Sequence, residues 1–305
     1  MSNQKISAVI NTWNEGHFLD ECLKRLNFVD EIIVIDMESE DDSFAIAKKY
    51  TDKIFKHKHI SYVEPVRNFG ISKALGNWVL ILDPDERVPK SLAAKLIEIV
   101  KEDSADYVRI PRKNIVFGQW LKHSRWWPDY NIRFFKKGSV TWQEEIHRPP
   151  ITTGTGIDLP AEEELAIEHH HYSTIDEYIL RQVRYTNQQV KELIKEGYQF
   201  NHKDAIIKPI SEFLSRFFAG EGYKDGFHGL ILSLLQAFSI LVVYLKVWEN
   251  EGFAPEREVM ADRNWQKLFN DKFREVLYWI YTVKIHLSQK KTAKLIWKIK
   301  RKLTA

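Results

Sequence analysis

At 305 residues, with 44% hydrophobic and 29% charged side chains, the chain has an ordinary globular composition and enough apolar surface for a full core. A formal net charge of +3 is too small for the whole-protein field to favour nucleic acid, so attraction to an anionic partner has to come from local patches. The single cysteine, Cys22, excludes an internal disulfide framework and suits a reducing compartment. The polar start, Met1 to Lys5, lacks the basic flank, apolar middle and cleavage site of a secretory signal, so the chain is expected to stay in the cytosol.

Ile6–Ile10 reads as a first strand, after which Phe18, Leu19, Cys22, Leu23 and Leu26 recur at helical spacing. Ile32–Ile35 is a second strand, and Ser39 with Asp42 three residues on reads as a helix capping box. Lys53–Lys56 is a weaker third strand, Val66–Leu75 is helical in spite of Gly70, and Trp78–Leu82 is a buried strand that stops at Asp83-Pro84-Asp85. This alternation predicts an α/β fold, with a mostly parallel sheet flanked by helices. In such sheets ligands sit beyond the carboxyl ends of the strands, so Asn14, Asp36 and Asp83 are expected at one crevice.

From Asp106 to His147 shorter strands, a turn at Gly138 and the aromatics Trp120, Trp126, Trp127, Tyr130 and Trp142 suggest a mixed sheet edge with long loops. Beyond the loop Ile151–Gly156 and the acidic Glu162–Glu164, the chain reads as helices, with Ile175, Ile179, Val183, Thr186, Val190 and Leu193 on one stripe. The expected division is residues 1–160 as the catalytic domain, 161–252 as a helical acceptor-facing or membrane-facing region, and 253–305 as a basic amphipathic tail.

Asp83 and Asp85 are separated by one residue, so a strand continuing through them would project both carboxylates from one face, able to share Mg²⁺ or Mn²⁺. Such hard cations keep a substrate phosphate in their shell, although a solvated Asp-Pro-Asp turn fits the same spacing. The company of these residues adds to the reading. AVINTWNE (Ala8–Glu15), EIIVID (Glu31–Asp36) with SEDDS soon after, and Arg67-Asn68 ahead of GISKALGNWVLILDPDE occur in that order. The succession resembles the family 2 glycosyltransferases of GT-A fold, most nearly the bacterial branch with lipopolysaccharide-core glucosyl and heptosyl transferases. The likeness is good over about the amino-terminal half, looser to Trp248, and absent beyond it.

The resemblance implies a metal-dependent, inverting transferase using a nucleoside-diphosphate sugar, with a UDP-sugar as the expected donor. It implies nucleoside contacts from Thr12, Asn14, Glu15 and Asp36, a nucleotide approach by Arg67 and Asn68, and metal and diphosphate binding by Asp83 and Asp85. Met37 and Glu38 depart from the small residue and glycine that often follow the second-strand acid. Trp126–Phe135, reading WWPDYNIRFF, resembles a block of the same branch and nominates Asp129 first and Glu145 second as the base that deprotonates the acceptor. His147 matches a branch histidine and is assigned to the metal shell or a phosphate contact, with a histidine satisfied inside a loop as the alternative.

Arg133 and Arg148 suit a phosphate or an anionic acceptor. His169, His170 and His171 cannot all face one ion from a strand, and one member, His170 or His171, is allowed as a ligand. Trp126 or Trp127 either stacks on a sugar or packs in the core.

Gly226–Leu245 contains no Asp, Glu, Lys or Arg, but Ser233, Gln236 and Ser239 interrupt it at helical spacing, which favours a helix packed on the protein or lying in a membrane interface over a span. After Glu275 there is no acid, while eight lysines and arginines from Lys284 to Lys302 accompany an apolar set that includes Leu295, Ile296 and Trp297. This basic tail is expected to be drawn to anionic lipid at the inner face of a membrane, with self-association through the terminal helices as the alternative. The expected acceptor is a saccharide or a lipid-linked envelope component. Two rivals share the pattern: a nucleotidyl or sugar-phosphate transferase, and an inactive nucleotide-sugar-binding assembly protein. No G-x-G-x-x-G follows the first strand, which disfavours a dinucleotide oxidoreductase.

Overall fold

The computed structural model describes residues 4–60, 64–143, 149–254 and 264–304. Strand β1 (Ile6–Thr12) is buried along its length and leads into α1 (Gly16–Lys24). Then come β2 (Glu31–Asp36), α2 (Ser43–Ala47), β3 (Ile54–Lys56), α3 (Glu64–Lys73) and β4 (Trp78–Leu82). The next elements are β5 (Glu86–Arg87), α4 (Lys90–Glu102), β6 (Tyr107–Val116), β7 (Gln119–Trp120) and β8 (Asp129–Lys136). Short strands β9 (Val140–Thr141), β10 (Ile151–Thr152) and β11 (Gly156–Asp158) precede β12 (Ile167–Tyr172).

The main sheet has the order β3-β2-β1-β4-β8-β6-β12-β5. The first four strands are mutually parallel, as their crossover helices require, and β8 joins β4 antiparallel. Side chains alternate across β1. Ala8 and Ile10 enter one core with Leu19 and Leu23 of α1 and Leu92 and Leu96 of α4, while Val9 enters the other with Val66 and Ile71 of α3. Gly70 is tolerated inside α3 because the helix lies close on the sheet: a Cβ there would meet Val9 Cγ1 at 2.6 Å.

Two compact units result. One comprises residues 1–120 and 127–171, the other 121–126 and 172–305. The first therefore runs past residue 160, because β12 is a strand of its sheet and pairs antiparallel with β5. In the second unit, α5 (Ile175–Lys195) starts from a capping box in which Thr174 and Glu177 exchange side-chain and backbone bonds. It is followed by α6 (His202–Leu214), α7 (Gly226–Asn250), α8 (Asn264–Leu287) and α9 (Lys291–Lys302), so the helical region and the basic tail belong to one unit.

Candidate active site

Parallel register sets Thr12 opposite Asp36 at the carboxyl ends of β1 and β2, and the two following loops are tied together. Met37 N donates to Thr12 O, and Ser39 N to Asp36 Oδ1 at 3.1 Å. Ser39 does not cap α2. Its hydroxyl accepts from Asn14 N, Glu40 N donates to Asn14 Oδ1 at 2.7 Å, and Ser43 and Asp41 accept from the amides of Glu15 and Gly16. The expected capping box is replaced by this cross-loop set because Asn14, at φ 54°, turns its backbone toward the second loop. Thr12 is buried, and its hydroxyl has no protein partner among the described residues.

Beyond Leu82 the chain turns instead of continuing as a strand, with Glu86 N donating to Asp83 O and Asp83 N to Glu86 Oε2, each at 3.0 Å. Buried Arg87 fastens the turn, its guanidinium donating to Pro84 O at 2.5 Å and to Phe18 O at 2.8 Å. The premise that placed Asp83 and Asp85 on one strand face therefore fails, and the two acids have different partners. Asp83 accepts from Arg67 Nη2 at 2.8 Å and Arg133 Nη2 at 2.5 Å. Arg133 also donates to fully buried Glu86 at 2.6 Å. Burial alone would raise the Asp83 pKa, but the Arg133 and Arg67 charges outweigh it and hold the carboxyl well below the usual range.

Asp85 lies with histidines. One ligand atom each from Asp85, His169 and His171 falls within 4.8 Å of the others, a grouping able to hold a divalent cation. Strand period two puts both His169 and His171 on this side, two ligands where the sequence reading allowed one. His170 is on the other side, where burial and the Arg87 charge lower its pKa. Asp83 is not part of this group.

The tautomer of His169 follows from its neighbours. Asp129, at the start of β8, accepts from Arg112 at 2.6 Å and 2.9 Å and from Asn114 Nδ2 at 3.2 Å. A carboxylate only accepts, so Asn114 must turn its NH₂ toward Asp129 and its oxygen toward His169 Nδ1, 2.6 Å away. The proton is then on Nδ1, and the Nε2 lone pair faces Asp85 and His171, which is how a metal-binding histidine is oriented. Burial would raise the Asp129 pKa, but the Arg112 charge and the Asn114 bond hold it below the usual carboxylate range.

Thus Thr12, Asn14, Glu15 and Asp36 meet in one pair of loops, and Arg67, Asp83, Asp85 and Asp129 belong to the network at the end of β4. Asn68 is committed elsewhere, since its side-chain amide donates to Trp142 O at 2.7 Å and accepts from Trp142 N at 3.0 Å. Glu145, His147 and Arg148 lie outside the described residues. Trp127 packs edge to face on Trp120, at 5.2 Å between centroids. Cys22 is buried, its thiol pushed up to about 12, so it is no nucleophile. The sequence reading missed Glu86, Arg112, Asn114 and His169. For His169, its alternation with His171 was the available signal.

A parallel half-sheet with the Asp36 and Asp83 loops at its carboxyl edge, continued by antiparallel strands, is the architecture of the GT-A fold. Residues 7–156 match the family described as Glycosyl transferase family 2, and the domain they form belongs to it. The chain is 26% identical over 281 residues to an uncharacterized glycosyltransferase of Rickettsia felis, covering 88% of this chain and 98% of that one. It is 22% identical over 256 residues to the lipopolysaccharide core biosynthesis glycosyltransferase LpsC of Rhizobium meliloti, covering 81% of this chain and 93% of that one. Among solved structures, S. aureus TarS 1-349 is similar at 14% identity and a TM-score of 0.43, over 98% of this chain and 88% of that one.

Proposed function

We propose that the chain moves a hexosyl or heptosyl group, with inversion, from a nucleoside-diphosphate sugar, with uridine as the base, to a hydroxyl of a saccharide or lipid-linked envelope acceptor at the cytoplasmic face of a membrane. The observation that carries it is the junction at the end of β4, where the Asp85, His169 and His171 group adjoins an arginine-held Asp83. The LpsC likeness supports the choice of acceptor class.

Asp85, His169 and His171 would hold the cation, and two imidazoles with one carboxylate suit Mn²⁺ better than Mg²⁺, which prefers an all-oxygen shell. When bound, such an ion neutralises charge on the departing diphosphate. Thr12, Asn14, Glu15 and Asp36 hold the nucleoside, and Asp83 keeps Arg67 and Arg133 beside the diphosphate. Asp129 is partly exposed and outside the cation group, so it is assigned as the base. The acceptor oxygen bonds to the anomeric carbon as the anomeric bond to the diphosphate breaks, and the acceptor proton passes to Asp129.

A comparison of Asp85→Asn with Asp83→Asn tests this. Wild-type protein is expected to gain about 2.7 kcal/mol of apparent stability with Mn²⁺ at a hundred times its dissociation constant. Asp85→Asn should lose that gain together with transfer from UDP-sugars, whereas Asp83→Asn should keep it and lose transfer. Full transfer by Asp85→Asn, or release of pyrophosphate in place of nucleoside diphosphate, would sink the reading.

A further inference from the structure

We propose that the helical unit docks face-on to an anionic lipid bilayer, the outward stripes of α7 and α9 entering the acyl boundary and the α9 lysines meeting headgroup phosphates. This deepens the reading above by specifying the surface where the acceptor is met, but the observations behind it come from the helical unit alone.

Helix α7 is inside out. Its serines face inward, Ser233 donating to Gly229 O at 2.6 Å and Ser239 to Leu235 O at 3.0 Å, both residues buried. With Gly229 and Ala237 they give a small-residue seam, and at Gly229 a Cβ would lie 1.9 Å from Gly222 O. The opposite side presents Phe227, Leu234, Phe238 and Leu245, between 41% and 72% exposed. At 100° per residue these four fall within about 40° of one another, a single stripe. Small residues and hydroxyls at the packing seam with large apolar groups outside are what a helix meeting lipid requires, and the reverse of a helix meeting water.

By length and composition Gly222–Asn250 would also suffice to cross a bilayer. It is read as lying in the interface because its other side is engaged: Val243 and Val247 pack with Val190 of α5, and Lys246 Nζ donates to Thr186 Oγ1 at 2.8 Å.

Helix α9 repeats the arrangement with charge added. Trp297 is turned toward α8, stacked on Tyr281 with centroids 5.9 Å apart and flanked by Lys284 and Lys300. Leu295, Ile296, Ile299 and Leu303 are left outside, between 52% and 81% exposed, bordered by Lys291, Lys298 and Lys302. An apolar stripe edged with lysines, on a segment with no acid after Glu275, complements anionic headgroups over acyl chains. The same charge argues against a second copy as the occupant, since pairing two such stripes would bring lysines together with no acid on either helix.

The test uses the full chain and vesicles of phosphatidylcholine with or without phosphatidylglycerol. Binding should need the anionic lipid, weaken with salt, and reverse in alkaline carbonate. Lys291→Gln, Lys298→Gln and Lys302→Gln together should weaken it about a hundredfold, at about fivefold per lysine. Leu295→Ser with Ile299→Ser should also release the protein. Each variant is first checked for native circular dichroism and an unchanged Mn²⁺ response, so a failure here is distinguishable from failure of the transferase reading.

Equal binding to both vesicle types, or binding that survives all these substitutions, would overturn the proposal. So would retention through carbonate, which would make α7 a span, or a dimer in solution that Leu295→Ser with Ile299→Ser dissolves while vesicle binding persists.

Discussion

In the amino-terminal unit charge is buried, whereas in the helical unit apolar surface is exposed. Arg133 and Glu86 are almost wholly covered, yet each is paired, and Arg87 is covered because its donors are consumed by backbone carbonyls. Phe227, Phe238 and Ile299 by contrast stand in the open with buried serines behind the α7 residues. Both departures from the usual partition of side chains have a cost, since ions lose hydration and apolar groups keep water ordered around them. The cost in the first unit is offset by geometry: arginines with fixed forks hold carboxylates at one place. In the second unit it is offset only when something apolar covers the stripe. The first arrangement suits a site that must be rigid before its ligand arrives, and the second suits a surface completed by its partner.

The largest effect should come from the first unit, where the fixed geometry has a chemical role. Asp129→Asn keeps the shape and can still accept from Arg112 and Asn114, but it removes the proposed base. Turnover should fall by about 10²- to 10⁴-fold with donor affinity nearly unchanged, as read by steady-state kinetics beside calorimetry. The pH dependence sharpens this. Because the folded-state pKa of Asp129 is depressed, its carboxylate is retained as pH falls from neutral, and it protonates only below the ordinary value of about 3.9. The ratio of wild-type to variant rates should therefore stay constant from about pH 8 to pH 5. A ratio that closes within that window would remove Asp129 as the base.

A smaller loss is expected one step further from the chemistry. Asn114→Ala replaces no proposed ligand, but it releases His169 Nδ1 from the bond that fixes its tautomer. Mn²⁺ affinity, measured by calorimetry, should weaken by about 10- to 100-fold. Asn114→Asp combined with Asp129→Asn preserves an acceptor for His169 and a donor toward it from β8, and should restore affinity though not turnover. Unchanged affinity in Asn114→Ala would make Asn114 a packing residue only.

These residues also show where reading from the chain stops. The parallel half was legible because each strand is a short apolar run ended by polar residues: Trp78–Leu82 is the same in both readings, and the strand expected at Lys53–Lys56 is Ile54–Lys56. Asp85 was legible as a strand-end acid. Its histidine partners were not assigned as a pair, only one of His170 and His171 being allowed, because they arrive through the antiparallel pairing of β12 with the two-residue β5, which no local periodicity signals. Arg112 and Asn114 lie on β6 with spacing any half-buried strand shows, and only the fold brings them to Asp129. The expectation that Asp83 and Asp85 share one strand face failed for a local reason, a turn in place of one more extended residue. In α7 the serines were seen at helical spacing, but composition alone does not say which side of a helix faces inward.

The smallest effects test that last point and belong to folding alone. If α7 is inside out, its polar seam is the sensitive side: Ser233→Leu, at a residue 1% exposed, must push about two extra heavy atoms into a packed seam and should destabilise by about 1–3 kcal/mol. Phe238→Ser, at a residue 57% exposed, removes a large apolar group from the surface and should shift stability by no more than about 0.5 kcal/mol in detergent-free buffer. A hydrophobic-to-polar change tolerated better than a polar-to-hydrophobic one, on the same helix, inverts what a core helix of a soluble domain would give. Denaturant midpoints for the two variants decide it, and the opposite order would mean that α7 packs through its phenylalanines.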